Sequence, residues 1–366
     1  MPYTRQSTLR IPAPVSSVSL SDNQLAVGSD DGSVRFYDLP STRVTKAIRG
    51  LDGEIASVVW ARRNQEPQEV WVANGPTAYR FSLDSSKMVL SNKDAIIQLL
   101  LGQDKEDVVN EVRVLIIWGS FSIHVSVDRQ LSLSPNSKYL AFSTDAGTVG
   151  TIDLANQQVT RTKVSHTNIC SSVEFIPDRP SEIVSGGYDS ALLHFDFKQG
   201  SILSRLDIAA APPTTGVSMS PPFVLSISVS PNGLVAATTA DGRVWLGTGA
   251  DKASPVAKKR RSRKWEGLRE PDGIFAQVAD GPIVASAFTA PATLVTCSLL
   301  GRISQHTVMY DEDFTARLDA AWTGSVTNLA KVNTLTASAE WVIVGGFSED
   351  GRGTVELWRE DDTASQ

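Results

Sequence analysis

Cysteine is scarce in this chain. Two residues, Cys170 and Cys297, occur among 366. Neither forms a Cys-x-x-Cys pair, which excludes a disulfide framework, a zinc ribbon and a thioredoxin-type redox motif. Both lie in apolar runs, as reduced core cysteines of an intracellular protein do. The four histidines (His124, His166, His194 and His306) are dispersed, so no metal site is expected. No Gly-x-Ser-x-Gly elbow is present, and Gly247-Thr248-Gly249 lacks the third glycine and the following helix of a phosphate loop. Catalytic and cofactor-binding residues are therefore expected to be none, and so is a cofactor. The chain has no Asn-x-Ser/Thr sequon and no signal-peptide pattern at its start. Its longest apolar stretch, 112–127, is too short and too interrupted to span a bilayer. An excess of one charge is also lacking. The 34 basic and 40 acidic side chains leave a net charge of −6, which argues against nucleic acid as a partner. A soluble monomer of the nucleus and/or cytoplasm is expected, with no membrane contact.

What the chain does contain is turns and repeats. Glycine (26) and proline (18) punctuate short apolar runs. The recurring unit is an apolar run ending in small residues, a tight turn, and an alternating run that often ends near aspartate. It is fullest at 165–198, where strand-like runs at 169–175, 182–186 and 192–197 flank Pro177-Asp178-Arg179-Pro180 and Tyr188-Asp189-Ser190. Six further copies carry their turns at Asp31-Gly32, Asn74-Gly75, Ala146-Gly147, Asp241-Gly242, Leu300-Gly301 and Asp350-Gly351. Asp-Gly and Asn-Gly supply the positive φ of hairpin turns, and β-branched alternation suits a pleated sheet. Seven small sheets packed radially would bury a continuous core that a single hairpin cannot. The seventh copy lacks an outer strand. Residues 7–11 are the natural donor, because they precede the first inner strand at 15–20, and their pairing would close the ring.

These copies resemble WD-repeat propellers. The resemblance implies an all-β, seven-bladed WD-repeat β-propeller closed by an N-terminal strand, a single domain over 1–366. The signature is degraded: Tyr37-Asp38, Ile152-Asp153 and Phe195-Asp196 stand where Trp-Asp would be. The fourth copy keeps the family's structural network, with His166 in the entry loop, Ser185 in the second strand and Asp189 in the turn. The resemblance implies that these three hydrogen-bond across the blade in a structural, not a catalytic, role. It also implies a non-enzymatic scaffold that binds a protein or peptide partner. A second function is a substrate receptor of a cullin-RING ubiquitin ligase, since many WD-repeat receptors dock on the ligase adaptor through Trp-Asp-x-Arg. The nearest match is Phe195-Asp196-Phe197-Lys198, which makes Asp196 and Lys198 the candidate adaptor contact. Lysine there keeps the charge but loses the bidentate fork of arginine. A third function is a chromatin or histone-tail reader, which an acidic pocket on one face would favour.

Three insertions, at about 93–129, 209–222 and 249–271, interrupt the pattern. In the first, 95–101 and 106–112 read as short helices, and 113–129 has no obvious strand slot. In WD-repeat relatives, 110–112 would lead almost directly into a strand at Leu131-Ser132-Leu133, so 113–129 reads either as a translated intron or as an extra ribbon. The second is a Pro/Ser/Thr-rich connector. The third holds eight basic residues against three acidic, a balance expected to stay solvated. Within it, Lys258, Lys259, Arg260, Arg261, Arg263 and Lys264 read as a nuclear localisation signal, with a plain solvated loop and a nucleic-acid patch as the other readings. Residues 360–366 are expected to fray.

Overall fold

Every tight turn between the middle strands contains a residue in the left-handed region. It is a glycine in six repeats (φ 53–84°) and Ser190 (φ 57°) in the fourth, which is the conformation the Asp-Gly pairs call for. Around these turns the computed structural model places seven antiparallel sheets. It describes residues 3–63, 66–104, 106–114, 138–210, 220–249, 265–312 and 315–361. Each sheet is one blade, with strands a to d running outward. In blade 4 these are Cys170–Phe175, Glu182–Gly187, Ala191–Asp196 and Ser201–Asp207. The a strands are Val15–Ser21, Ile55–Arg63, Val109–Val114, Cys170–Phe175, Val224–Val229, Ile283–Ala290 and Lys331–Ala337. Each packs on the next, and the seventh packs on the first. The protein is thus a closed seven-bladed β-propeller.

Closure uses the N-terminus. Strand Tyr3–Ile11 is the outer strand of blade 7, antiparallel to Gly353–Glu360, with Tyr3 opposite Glu360 and Ile11 opposite Gly353. The donated strand is longer than the 7–11 run read from sequence. Glu360 is the last residue of its strand, and 362–366 lie outside the described residues.

The blade packing explains why each b strand is an apolar run ending in small residues. A b strand is covered on both faces by neighbouring blades; Val235–Thr239, for example, is buried throughout. Where the next blade's inner strand comes closest, there is no room for a side chain. A Cβ at Gly28 would lie 2.6 Å from Ile55, at Gly186 2.5 Å from Val224, and at Gly345 2.7 Å from Val15.

Three sequence expectations differ from the structure. Neither helix read in the first insertion forms. Ile97–Leu100 is instead the outer strand of blade 2, paired with Thr77–Ser82, and Val109–Val114 is the inner strand of blade 3, paired with Tyr139–Thr144. Each blade must fill its first and last strand, and that demand overrides local helix preference. Arg113 and Val114 therefore do have a strand slot. The remainder of 113–129, with Leu131-Ser132-Leu133, lies outside the described residues. Before Ile97 the chain also reaches back to blade 1, where Val89–Leu90 runs parallel to Arg43–Ile48 as a fifth strand.

The third difference concerns 265–271, which is not wholly solvated. Trp265 and Leu268 are buried in the core between blades 4 and 5. The Trp265 indole packs edge-on against His194 at 4.8 Å and donates to the Gly233 carbonyl at 3.4 Å. Their contacts are with blades distant in sequence, which the charge balance of the segment does not register.

Both cysteines are free and buried, and burial raises both thiols, Cys297 to about 12. His306 is also buried, with Nε2 3.2 Å from the Thr296 hydroxyl. Burial, and secondarily the charge of Arg302, lowers its pKa from 6.5 to about 4. The unfolded chain therefore takes up this proton first. His306 costs no stability at neutral pH, and stability falls as pH drops from about 6.5 to about 4, by about 3 kcal/mol in total. Urea titrations at both ends of that window should show His306→Gln losing less stability than the wild type. Equal losses would refute the assignment.

Candidate interaction site at the channel mouth

The b–c turns and the d–a loops emerge on one face of the ring. Buried polar side chains pin them, and the pin differs from blade to blade. Asn74 donates through Nδ2 to the carbonyls of Asp52, Gly53 and Glu54 at 2.9–3.0 Å, fixing the loop between blades 1 and 2. Asp107 accepts from the backbone N–H of Ala146 at 2.9 Å and of Gln103 at 2.7 Å, fixing the next loop. Arg243 donates to Asp241 and to the Ala209 carbonyl, both at 2.7 Å, between blades 4 and 5. The fully buried Glu356 holds the loop between blades 6 and 7 by accepting from the N–H groups of Thr327 and Asn328 at 3.0 and 2.8 Å. Sequence reading missed all four, because each joins elements that are separate in the chain.

Blade 4 brings together His166, Ser185 and Asp189. His166 Nδ1 donates to Asp189 at 2.8 Å, and Nε2 lies 2.8 Å from the Ser185 hydroxyl. The carboxylate can only accept, so it fixes the ring tautomer and leaves Nε2 to accept from Ser185. A Cβ at Gly187 would sit 2.6 Å from His166 Nδ1, so this neighbour must be glycine. Burial alone would raise the Asp189 carboxyl. The hydrogen bond from His166, with N–H bonds from Thr167 and Ala191, outweighs burial and holds it below its ordinary value. The trio joins an entry loop to a turn and has no access to a substrate, since His166 is 3% exposed. His166→Ala should cost about 2–4 kcal/mol by stranding two buried polar partners. A urea midpoint within experimental error of the wild type would contradict this.

The rim itself follows from a repeated backbone bond. The first residue of the b–c turn donates its N–H to the carbonyl of the residue preceding strand a. The pairs are Asp30 to Pro14, Asp145 to Val108, Tyr188 to Ile169, Ala240 to Phe223 and Leu299 to Pro282, all at 2.8–3.0 Å. Because the a strands line the channel, these pairs stand at its mouth. Their chemistry changes around the ring. Blades 1–3 contribute Asp30, Glu54 and Asp145, all exposed and, among the described residues, without ion-pair partners. Burial raises Glu54, and the charges of Asp30 and Asp145 raise it further. Burial, then Asp31, raises Asp30. Blades 4–6 contribute half-buried Ile169, Tyr188, Phe223 and Leu299, with Tyr188 and Phe223 stacked at 5.5 Å and 14°. Lys331 of blade 7 is the basic side chain at the equivalent level.

Asp196 and Lys198 lie on the opposite face, in the c–d turn of blade 4. Asp196 Oδ1 accepts from the N–H groups of Lys198 and Gln199 at 3.0 Å, and Oδ2 accepts from the Ser181 hydroxyl at 3.3 Å. Lys198 is exposed, with Nζ 5.5 Å from the Tyr139 ring centre. Lys258, Lys259, Arg260, Arg261, Arg263 and Lys264 lie outside the described residues. Among the described residues no group of three or more histidine, cysteine or acidic side chains could hold a metal. No helix there is long and apolar enough to cross a membrane.

A ring of seven antiparallel sheets with loops pinned at a channel mouth is a seven-bladed β-propeller. The WD domain, G-beta repeat family matches residues 4–38, which run from the closing strand through the three inner strands of blade 1. The family repeat is thus offset from the blade by one strand, as closure by an N-terminal strand requires. The match falls on the first repeat.

The chain is similar to the WD repeat-containing protein 53 homolog of Dictyostelium discoideum. The two are 23% identical over 238 residues, which is 60% of this chain and 57% of that protein. The chain thus spans less than two thirds of the length of this curated relative.

Proposed function

We propose that the ring is a non-enzymatic interaction scaffold that docks a protein partner across the channel mouth. The observation that carries this is the rim, where pinned loops hold a half-exposed aromatic stack beside unpaired carboxylates. Preorganised loops reduce the ordering cost of binding, and aromatic side chains dominate binding energy at interfaces. The test is affinity purification of the tagged full-length chain beside Tyr188→Ala and Phe223→Ala. The variants should lose partners that the wild type retains. Identical partner sets for all three would remove the mouth as the docking site.

The receptor role in a cullin-RING ligase comes second. What supports it is the exposed Lys198 on the other face. Against it, Asp196 is committed to its own turn. Under the scaffold reading, Lys198→Glu leaves any co-purifying ligase adaptor unchanged. Loss of the adaptor from a folded variant would favour the receptor role. A chromatin or histone-tail reader is the finer form of the scaffold reading that the acidic part of the rim supports.

A further inference from the structure

The rim is divided, and the division selects a partner. The apolar arc alone would accept many extended segments. The carboxylates narrow the choice. Asp30, Glu54 and Asp145 come from three consecutive blades whose inner strands pack on one another, and the charges of Asp30 and Asp145 both add to the rise of the Glu54 carboxyl. Asp145 also acts on the Tyr188 hydroxyl, after burial the second cause of its raised pKa, so acidic and aromatic arcs adjoin. Other acidic groups of the ring are paired: Asp31 with Arg35, Glu69 with Arg80, and Asp241 with Arg243. The three at the mouth have no ion-pair partner among the described residues, and a ligand cation would relieve the like-charge effect on Glu54. The Ser29 hydroxyl, fully buried one residue before Asp30, likewise has no hydrogen-bond partner among the described residues.

We infer that the occupant of the mouth is an extended peptide segment presenting an arginine or lysine to Asp30, Glu54 and Asp145, with an adjoining apolar side chain against Tyr188 and Phe223. This rests on the scaffold reading and names the chemistry of its partner. The cation gains Coulomb attraction and charge-assisted hydrogen bonds, and the apolar neighbour covers the stacked rings. A nucleic-acid backbone is disfavoured by the same carboxylates.

The probe is a library of random phage-displayed peptides, selected on the full-length chain, on Glu54→Gln/Asp145→Asn, and on Tyr188→Ala. The neutralised pair is nearly isosteric and exposed, so it should fold, and a matching urea midpoint would establish that. The wild type should enrich peptides with a basic residue next to an apolar one. Their synthetic versions should bind the neutralised pair on the order of tenfold more weakly and should weaken with added salt. Enriched peptides that lack a basic residue but are lost on Tyr188→Ala would overturn the basic-segment inference and leave the scaffold standing. No enrichment, or peptides indifferent to both variants, would overturn both.

Discussion

A chain lacking residues 1–11 should not persist as a folded monomer. Strand Tyr3–Ile11 supplies the whole outer edge of blade 7, and Tyr3 and Ile11 are 4% and 1% exposed. Burying two such side chains is worth about 2–3 kcal/mol each, and the ladder bonds add about 1 kcal/mol apiece. The loss exceeds about 5 kcal/mol, comparable with the whole stability of a typical domain. Truncation also bares Gly353–Glu360 as an unpaired edge, which invites association. Size-exclusion chromatography should show aggregates or no soluble protein, and circular dichroism a lost cooperative transition. A truncated monomer with the wild-type urea midpoint would show that closure lies elsewhere.

Glu356→Ala should be the most damaging single substitution at the rim. One oxygen, Oε1, accepts the N–H groups of Thr327 and Asn328 at 3.0 and 2.8 Å and the Asn328 side-chain amide at 3.1 Å. Arg5 of the closing strand approaches it at 3.6 Å. Removing the carboxylate leaves these donors unsatisfied in a site with no exposure and opens a cavity, at a cost of about 3–5 kcal/mol. Glu356→Gln keeps a carbonyl acceptor and should cost about 1 kcal/mol. Arg5→Ala should cost less still, because Arg5 is largely exposed and its ion pair is screened. Urea denaturation of the three variants should rank them in that order. Equal losses for Ala and Gln at 356 would mean that volume, not hydrogen bonding, sets the cost.

The architecture was legible because its signals are local. Asp-Gly turns, strand alternation and small residues at blade contacts lie within a few positions of one another. Counting strands then showed that the seventh blade needed a donor. The first insertion misled because a short apolar run such as Ile97–Leu100 suits a helix or a strand equally well. Only the empty outer slot of blade 2 decides between them. For the inner strand of blade 3, the sequence reading placed a strand at 131–133 and gave 106–112 to a helix, because periodicity does not separate a short helix from a strand such as Val109–Val114. Of the site, His166, Ser185 and Asp189 could be picked out through the family resemblance. Asn74, Arg243 and Glu356 could not, since each acts on a loop that its own sequence neighbours do not mention. The acidic arc was invisible because Asp30, Glu54 and Asp145 are far apart in the chain and meet only around the channel.

Closure by the first strand also has a consequence in time. During synthesis Tyr3–Ile11 leaves the ribosome before every other strand of the ring, and its partner Gly353–Glu360 after all of them. Until then the segment has nowhere to pair, and Ile11 and the inner wall of blade 1 remain uncovered. A nascent ring is therefore an open arc with two sticky ends for nearly its whole elongation, and translation speed and chaperone supply bear on its yield.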